Sequence, residues 1–429
     1  MRFHEAANFL FDLRRFGVDP GVDSVRALVD EVGVDPAPSP GEGPAYVQVA
    51  GSNGKGSTAR MVESALREAG LTVGLYTSPH LEQLTERIRV DGREMPRSAV
   101  AAFVEQVKPW LIDRAADEDP LTFFEVVTAM ALWQFERADV DVAVLEVGMG
   151  GEFDATSVVS PVVSAVTNVS LEHTSVLGDT VEEIARTKSS VAPEGRPLVT
   201  GTQDAALRTV REEAGSVVTV GDDHWTGEGA TAADAPRPDV LVEYRGRVDH
   251  QHASVGIAHA EKEGYCDGIT STAWSVDAEI PLLGEHQAKN AGVACALARQ
   301  AGDAVGVEVT ETDLERGLAR ADWPGRFEVM AKEPLTVLDG AHNPDACETV
   351  AETLSTFEYD DCHLVFAAMH DKDAREMAEA LPDTASVTTC EPAIDRAEDS
   401  AVLATVFRNV GAEDVTSTGS VANALSKAR

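Results

Sequence analysis

Residues 49–60 read VAGSNGKGSTAR, three glycines around one lysine with two hydroxyl residues close behind. Glycines at 51, 54 and 56 let backbone N–H groups approach phosphate oxygens, and a helix opening inside the stretch adds its positive end. Lys55 has the reach for β- and γ-phosphates, and Ser57 is placed to touch a magnesium ion or a phosphate. Gly51, Ser52, Asn53, Gly54, Lys55, Gly56 and Ser57 are therefore candidate nucleotide ligands. The strict pattern G-x-x-x-x-G-K-[ST] is nevertheless not met. Val49 stands where its first glycine belongs, and Gly56 where its Ser or Thr belongs. The alternative is a tight strand–helix turn with an incidental lysine.

Other reactive side chains recur just after apolar runs. TSPHL (77–81) carries Ser78 and His80, VAVLEVGMGG (142–151) carries Glu146, and NVSLEHTSVLG (168–178) carries Glu172 and His173. An open parallel sheet binds ligands outside the carboxyl ends of its strands, which is where these residues fall. A carboxylate ending an apolar strand is costly unless paired or on a metal. A salt bridge for Glu146, a proline turn for Ser78 and a satisfied surface or core histidine for His173 are the plainer readings. Lys188, in IARTKSSVAP, has the plain reading of a solvated helix lysine.

The elements that must position these residues are legible. Residues 4–15 and 23–32 read as short helices, AYVQVAG as a strand and KGSTARMVESALREAG as a helix ending at Gly70. Strands at TVGLY, VDVAVLEV and PVVSAVTNV alternate with helices, which predicts a mostly parallel α/β sheet with helices on both faces. TFFEVVTAMAL (122–132) has core-helix spacing through Phe123, Val126, Val127 and Met130. Residues 221–277 predict small antiparallel strands with long acidic loops, and 284–302 a helix. The stretch 301–323 reads as the seam before a second α/β run through LTVLDGAHN, CHLVFAAMH and ASVTTC. Domains are expected at 1–323 and 324–429. The sequence stops in or just after a helix, where another strand is expected, so a cropped chain or the front of a longer one is the expectation.

Composition narrows the function classes. The chain has 429 residues, 43% of them hydrophobic, enough for two or three packed domains. Its 73 acidic and 35 basic residues give a net charge of −38, spread along the chain. Such a field repels nucleic acid and anionic membranes, so neither is an expected partner. It suits a salty cytoplasm, that of a halophilic archaeon; the plainer alternative is an ordinary acidic protein. Five scattered cysteines (266, 295, 347, 362, 390) without C-x-x-C argue against a disulfide framework or zinc and for a reducing compartment. No signal peptide or membrane-length apolar run is present, so a cytoplasmic location is expected.

GSNGKGS resembles the G-T-N-G-K-G-S loop of the folylpolyglutamate synthase and dihydrofolate synthase family, relatives of the Mur ligases. YTSPHL, TFFEVVTAMAL, LEVGMGG, WPGRFE and LDGAHNP match further family motifs in order over nearly the whole chain. The resemblance implies a phosphate-loop ATP-binding domain, then a smaller Rossmann-like domain that here lacks its last strand. It implies magnesium on Ser57, Ser78, Glu146 and His173, with potassium a further candidate. Phe124 and Glu125 would border a pterin pocket. Asn290 would lie near adenine, Arg326 on ATP phosphate, and Asp339 and His342 on the nucleotide and amino-acid face of the second domain. Lys188 matches a lysine that is often carbamylated in the family, although Thr187, Ser189 and Ser190 depart from the family's E-K-A-G pattern.

The implied activity is an ATP-dependent ligase joining L-glutamate to dihydropteroate or a reduced folate through an acyl phosphate. Lys55, His173, Lys188 and Arg326 would be its catalytic residues, and a monomer is expected. A Mur-type ligase for UDP-muramyl peptides is the enzymatic rival. Only some fifty residues precede the loop, too few for that rival's UDP-binding domain. A nucleotide-binding regulator without ligase chemistry is the other alternative.

The charge yields a first prediction. Self-repulsion at −38 is screened only when the Debye length is short, about 3 Å at 1 M salt. The melting temperature should rise from dilute buffer toward molar KCl. A midpoint independent of salt would contradict the halophilic reading.

Overall fold

A computed structural model describes residues 1–16, 21–116, 120–192, 195–225, 227, 237–260 and 273–428. The acidic loops expected within 221–277 fall largely, and Cys266 wholly, outside these residues. The chain divides into two compact units. The first holds Met1–Val248, His252–Pro281 and Gln287–Trp323; the second holds Asp249–Gln251, Leu282–His286 and Pro324–Arg429.

The first unit is built on strands β1 (Ala45–Ala50), β2 (Val73–Tyr76), β3 (Ile88–Val90), β4 (Arg93–Glu94), β5 (Val142–Glu146), β6 (Pro161–Val166), β7 (Pro197–Thr200), β8 (Ser216–Gly221), β9 (Val240–Arg247), β10 (Ala253–His259) and β11 (Trp274–Ile280). They make one eleven-stranded sheet in the order β11-β10-β9-β8-β7-β6-β1-β5-β2-β3-β4. The run from β9 to β2 is parallel, and both ends of the sheet are antiparallel. Strand β5, VAVLE, is buried at every position, as a central parallel strand covered on both faces must be. Strand β11 instead alternates buried and exposed residues, the period-2 mark of a sheet with one wet face. Here the strands expected within 221–277 extend the main sheet.

Tyr46, Tyr76, Ala143 and Leu145 share a core with the helices Phe3–Asp12, Asp23–Val32, Arg97–Ala116 and Phe123–Arg137. The helix Lys55–Glu68 buries all of Gly56–Ala59 and Met61–Leu66. Its one wholly buried carboxylate, Glu63, is answered by Arg60 and, at 3.2 Å, by Arg67. Stretch 301–323, read as a seam, contains the helix Glu311–Ala319, capped by Thr310 and packed against Lys55–Glu68.

In the second unit β14 (His363–Phe366), β15 (Ser386–Cys390) and β16 (Val415–Thr418) form a parallel sheet in that order. Phe366, Met377, Val387, Leu403 and Phe407 make its core. The LTVL run, expected to join this sheet, does not. It is β13 (Leu335–Leu338) and pairs antiparallel with β12 (Glu328–Lys332). Only Glu333 and Pro334 separate the two strands, and a two-residue link permits a hairpin but no parallel crossover. Cys295, Cys347, Cys362 and Cys390 are free thiols.

No helix among the described residues is long and apolar enough to cross a membrane. Close packing at Gly317 gives a second prediction. A Cβ there would sit 2.6 Å from the Ala65 backbone nitrogen. Gly317→Ala should therefore cost about 1–3 kcal/mol by forcing the two helices apart, despite alanine's better helix propensity. Denaturant titration in high salt measures it.

Candidate active site

Strands β6, β1, β5 and β2 are neighbours and parallel, so the loops that leave them emerge at one edge of the sheet. Those loops carry Asn168–His173, Gly51–Gly54, Val147–Gly151 and Thr77–His80. Four stretches that are remote in sequence thus converge at the carboxyl ends of the strands.

The glycine loop has the backbone its sequence requires. Gly51 and Gly54 take φ of 140° and 81°, values that side-chain-bearing residues rarely adopt. A Cβ at Gly51 would overlap the Thr167 hydroxyl, and one at Gly54 the Asn290 amide. The exit of β6 straps the loop down. Thr167 Oγ1 donates to the Asn53 carbonyl (2.6 Å), Asn53 N–H to Asn168 Oδ1 (2.7 Å), and Ser170 N–H to Ser52 Oγ (3.0 Å). Asn290, buried on the helix His286–Ala304, donates to Gln287 Oε1 (3.0 Å) and lies against Gly54.

Two lysines meet at this loop. Lys55 Nζ folds back to donate to the Gly51 and Ser52 carbonyls at 2.8 and 3.0 Å. Lys188 Nζ, on the helix Val181–Ser189, donates to the same Gly51 carbonyl (3.0 Å) and to Glu172 Oε1 (2.8 Å). Lys188 is not the solvated lysine of the plainer reading; only 2% of it is exposed. Burial, with the Lys55 charge beside it, lowers its pKa to about 8 against the pull of Glu172. Burial favours the neutral acid at Glu172, but Lys188 and Lys55 hold its pKa below the usual range. Glu172 was not assigned a role from sequence. In a chain with 73 acidic residues, only its place beside His173 could have singled it out.

Glu146 closes β5, nearly buried, and Oε2 accepts the Ser78 backbone N–H at 2.8 Å. The hydroxyls of Ser57 and Thr58 are buried in the first turn of Lys55–Glu68, without a hydrogen-bond partner among the described residues. An orphaned buried hydroxyl at a helix N-terminus near a carboxylate fits a hard cation that takes its other oxygens from water and phosphate. Ser57, Ser78 and Glu146 would hold it. No group of three His, Cys, Asp or Glu among the described residues makes a metal cage. His173 is exposed, with φ 46°, and opens the short helix Thr174–Leu177.

Phe124 is half-buried, its ring 6.0 Å from that of Tyr76 and pressed where a Cβ on Gly148 would be. Its place beside the glycine exit of β5 is compatible with a ligand face. Glu125 is engaged locally: Oε2 accepts from Thr122 N–H and Thr122 Oγ1, both at 2.7 Å, as the capping box of Phe123–Arg137. In the second unit Asp339 organises the LDGAHNP turn, accepting from Phe327 N–H (2.6 Å) and Ala341 N–H (2.7 Å). Burial nonetheless raises its pKa. Arg326 Nη1 donates to the Gly325 carbonyl (3.1 Å), and His342 Nδ1 lies 3.0 Å from the Gly340 carbonyl. Asn343 then caps the helix Pro344–Leu354.

His80 provides a pH test of this edge. Its Nδ1 accepts from Arg87 Nε at 2.8 Å, and burial together with Arg87 and Arg14 lowers its pKa from 6.5 to about 4. Below 6.5 the unfolded chain takes up a proton that the folded site refuses. The stabilisation is complete above pH 6.5 and is lost as pH falls toward 4. For a half-exposed ring this amounts to about 1–2 kcal/mol after screening. His80→Asn retains an acceptor without titrating, so the stability gap between wild type and variant should shift by that amount between pH 7 and pH 4.5.

Comparison with known proteins places these features. Residues 49–298 match the Mur ligase middle domain, and residues 325–429 the Mur ligase glutamate ligase domain. A probable bifunctional folylpolyglutamate synthase/dihydropteroate synthase of Haloferax volcanii is 57% identical over 430 residues, covering all of this chain. The chain spans only 48% of that relative's length. The dihydrofolate synthase/folylpolyglutamate synthase of Bacillus subtilis is 33% identical, with 88% of this chain and 82% of the relative covered. The structure of E. coli FolC in complex with DHPP and ADP superposes with a TM-score of 0.77 at 28% identity, covering 100% of this chain and 91% of FolC. A phosphate loop of the G-S-N-G-K-G-S subtype, on this sheet and with these relatives, has one reading: the chain belongs to the folylpolyglutamate synthase/dihydrofolate synthase family of Mur ligases.

Proposed function

We propose that this chain is an ATP-dependent ligase that joins L-glutamate to the carboxylate of a pterin-bearing acid. The observation that carries the reading is the convergence of Lys55, Lys188, Glu172, Glu146 and the glycine loop at one sheet edge. The relatives' names supply the substrate class, with dihydropteroate the first choice and a reduced folate the second.

In this mechanism the substrate carboxylate attacks the γ-phosphate of ATP, ADP leaves, and an acyl phosphate forms. The glutamate amine attacks the acyl carbon and phosphate departs. Lys55 leaves the Gly51 and Ser52 carbonyls to meet the β/γ-phosphates, where its charge counters the negative charge of the transferred phosphoryl. Loop N–H groups and the start of the Lys55–Glu68 helix bind the remaining phosphate oxygens. Ser57, Ser78 and Glu146, with His173 as a further candidate, would hold magnesium, which would supply Lewis-acid neutralisation of phosphate charge. Arg326 is proposed as a bidentate phosphate ligand, its planar fork suited to two oxygens, with Asp339 and His342 on the nucleotide and glutamate side. Phe124 is proposed to stack on the pterin, with Glu125 beside it in a chiefly structural role.

Two finer assignments complete the reading. Carbamylation of Lys188 is supported by its low pKa, which leaves neutral amine available to carbon dioxide near pH 8, and opposed by its pairing with Glu172. Intact mass measured without acid treatment decides between them. Potassium dependence is read by replacing KCl with NaCl at constant ionic strength.

The purified protein in molar KCl should release ADP only when a pterin acid and L-glutamate are both present. ADP release with a UDP-muramyl peptide, and with neither pterin acid, would overturn the assignment. Lys55→Ala should lower turnover by at least about a hundredfold, roughly 2.7 kcal/mol of transition-state stabilisation.

A further inference from the structure

The strict phosphate-loop pattern has Ser or Thr where this chain has Gly56. A Cβ at position 56 would lie 3.1 Å from Trp323 Nε1, and 3.4 and 3.5 Å from the two carboxylate oxygens of Glu146. Glycine here therefore leaves room for an indole. The backbone does not ask for it: Gly56 is the second residue of the Lys55–Glu68 helix, without the positive φ of Gly51 and Gly54. Alanine would be the better helix former at that position.

Trp323 is the last residue of the first unit and is half-buried. Its indole N–H makes no hydrogen bond to any described residue. An indole can only donate, and an aromatic brought this close to polar groups normally finds an acceptor. The same first helical turn carries the hydroxyls of Ser57 and Thr58, 1% and 0% exposed and without a hydrogen-bond partner among the described residues. An anion with several acceptor oxygens would answer the indole N–H and the positive end of the helix together. We propose that Trp323 is a nucleotide-binding residue whose indole N–H, admitted beside the helix by the missing side chain at Gly56, donates to a phosphate oxygen. The pairing of a side-chain-free residue at 56 with an indole at 323 then puts an N–H donor where the strict pattern has its magnesium-binding hydroxyl. It adds a phosphate donor, while the cation is left to Ser57 and Glu146.

This inference rests on reading the loop as a nucleotide site but not on the identity of the acid that is ligated. The test uses ATP alone, without pterin or glutamate, and compares four proteins in molar KCl by calorimetry: wild type, Trp323→Phe, Gly56→Ala and the double variant. Trp323→Phe keeps an aromatic ring and loses the N–H, so ATP affinity should fall about tenfold or more with the melting temperature nearly unchanged. Gly56→Ala should weaken ATP similarly without lowering the melting temperature. The double variant should bind no more weakly than Trp323→Phe alone, because both changes remove one interaction. Wild-type affinity in Trp323→Phe, or losses that multiply in the double variant, would overturn the proposal. Wild type that fails to bind ATP would overturn both it and the nucleotide reading. Wild type that binds ATP but ligates no pterin acid would overturn only the ligase assignment.

Discussion

Two ammonium groups converge on one carbonyl oxygen. Lys55 and Lys188 both donate to Gly51, and Glu172 completes the cluster. A phosphate loop must turn its N–H groups outward, which turns its carbonyls inward toward the protein. Something buried has to satisfy them. Lys188 does so from a helix more than a hundred residues away in sequence. The Gly51 carbonyl therefore has a second donor besides Lys55.

The rest of the first unit serves that arrangement. Buried parallel strands of continuous apolar sequence set the height of the four exit loops, and the β6 exit ties the glycine loop to the sheet through Thr167, Asn168 and Ser170. Each contact replaces freedom the loop would otherwise lose on binding, which is the physical content of preorganisation. The acidic surface is a separate matter. At the loop itself the two lysines are held beside one carboxylate, Glu172.

Much of this was legible in the chain. Periodicity placed β1, β2, β5 and β6 and the helix Lys55–Glu68, because a buried parallel strand and an amphipathic or buried helix differ in apolar spacing. The glycine loop, Ser78 and Glu146 were singled out by their places at strand ends, and Glu146 also because a carboxylate there is costly. What failed did so for definite reasons. The LTVL run has strand composition, but composition carries no partner, and the two-residue link to β12 made it a hairpin. Residues 311–319 lacked a strong motif and were read as seam, although Thr310 and Asp313 form a capping box.

The amino-acid sequence by itself determined the class of chemistry: a phosphate loop, with hydroxyl and carboxylate residues at strand exits. These are properties of residue type and local spacing, which survive without coordinates. Tertiary structure alone decided which groups act together. Glu172 became Lys188's partner and Gly56 the space beside Trp323, because pairings across more than about ten residues depend on strand order and close approach. No local pattern encodes those distances.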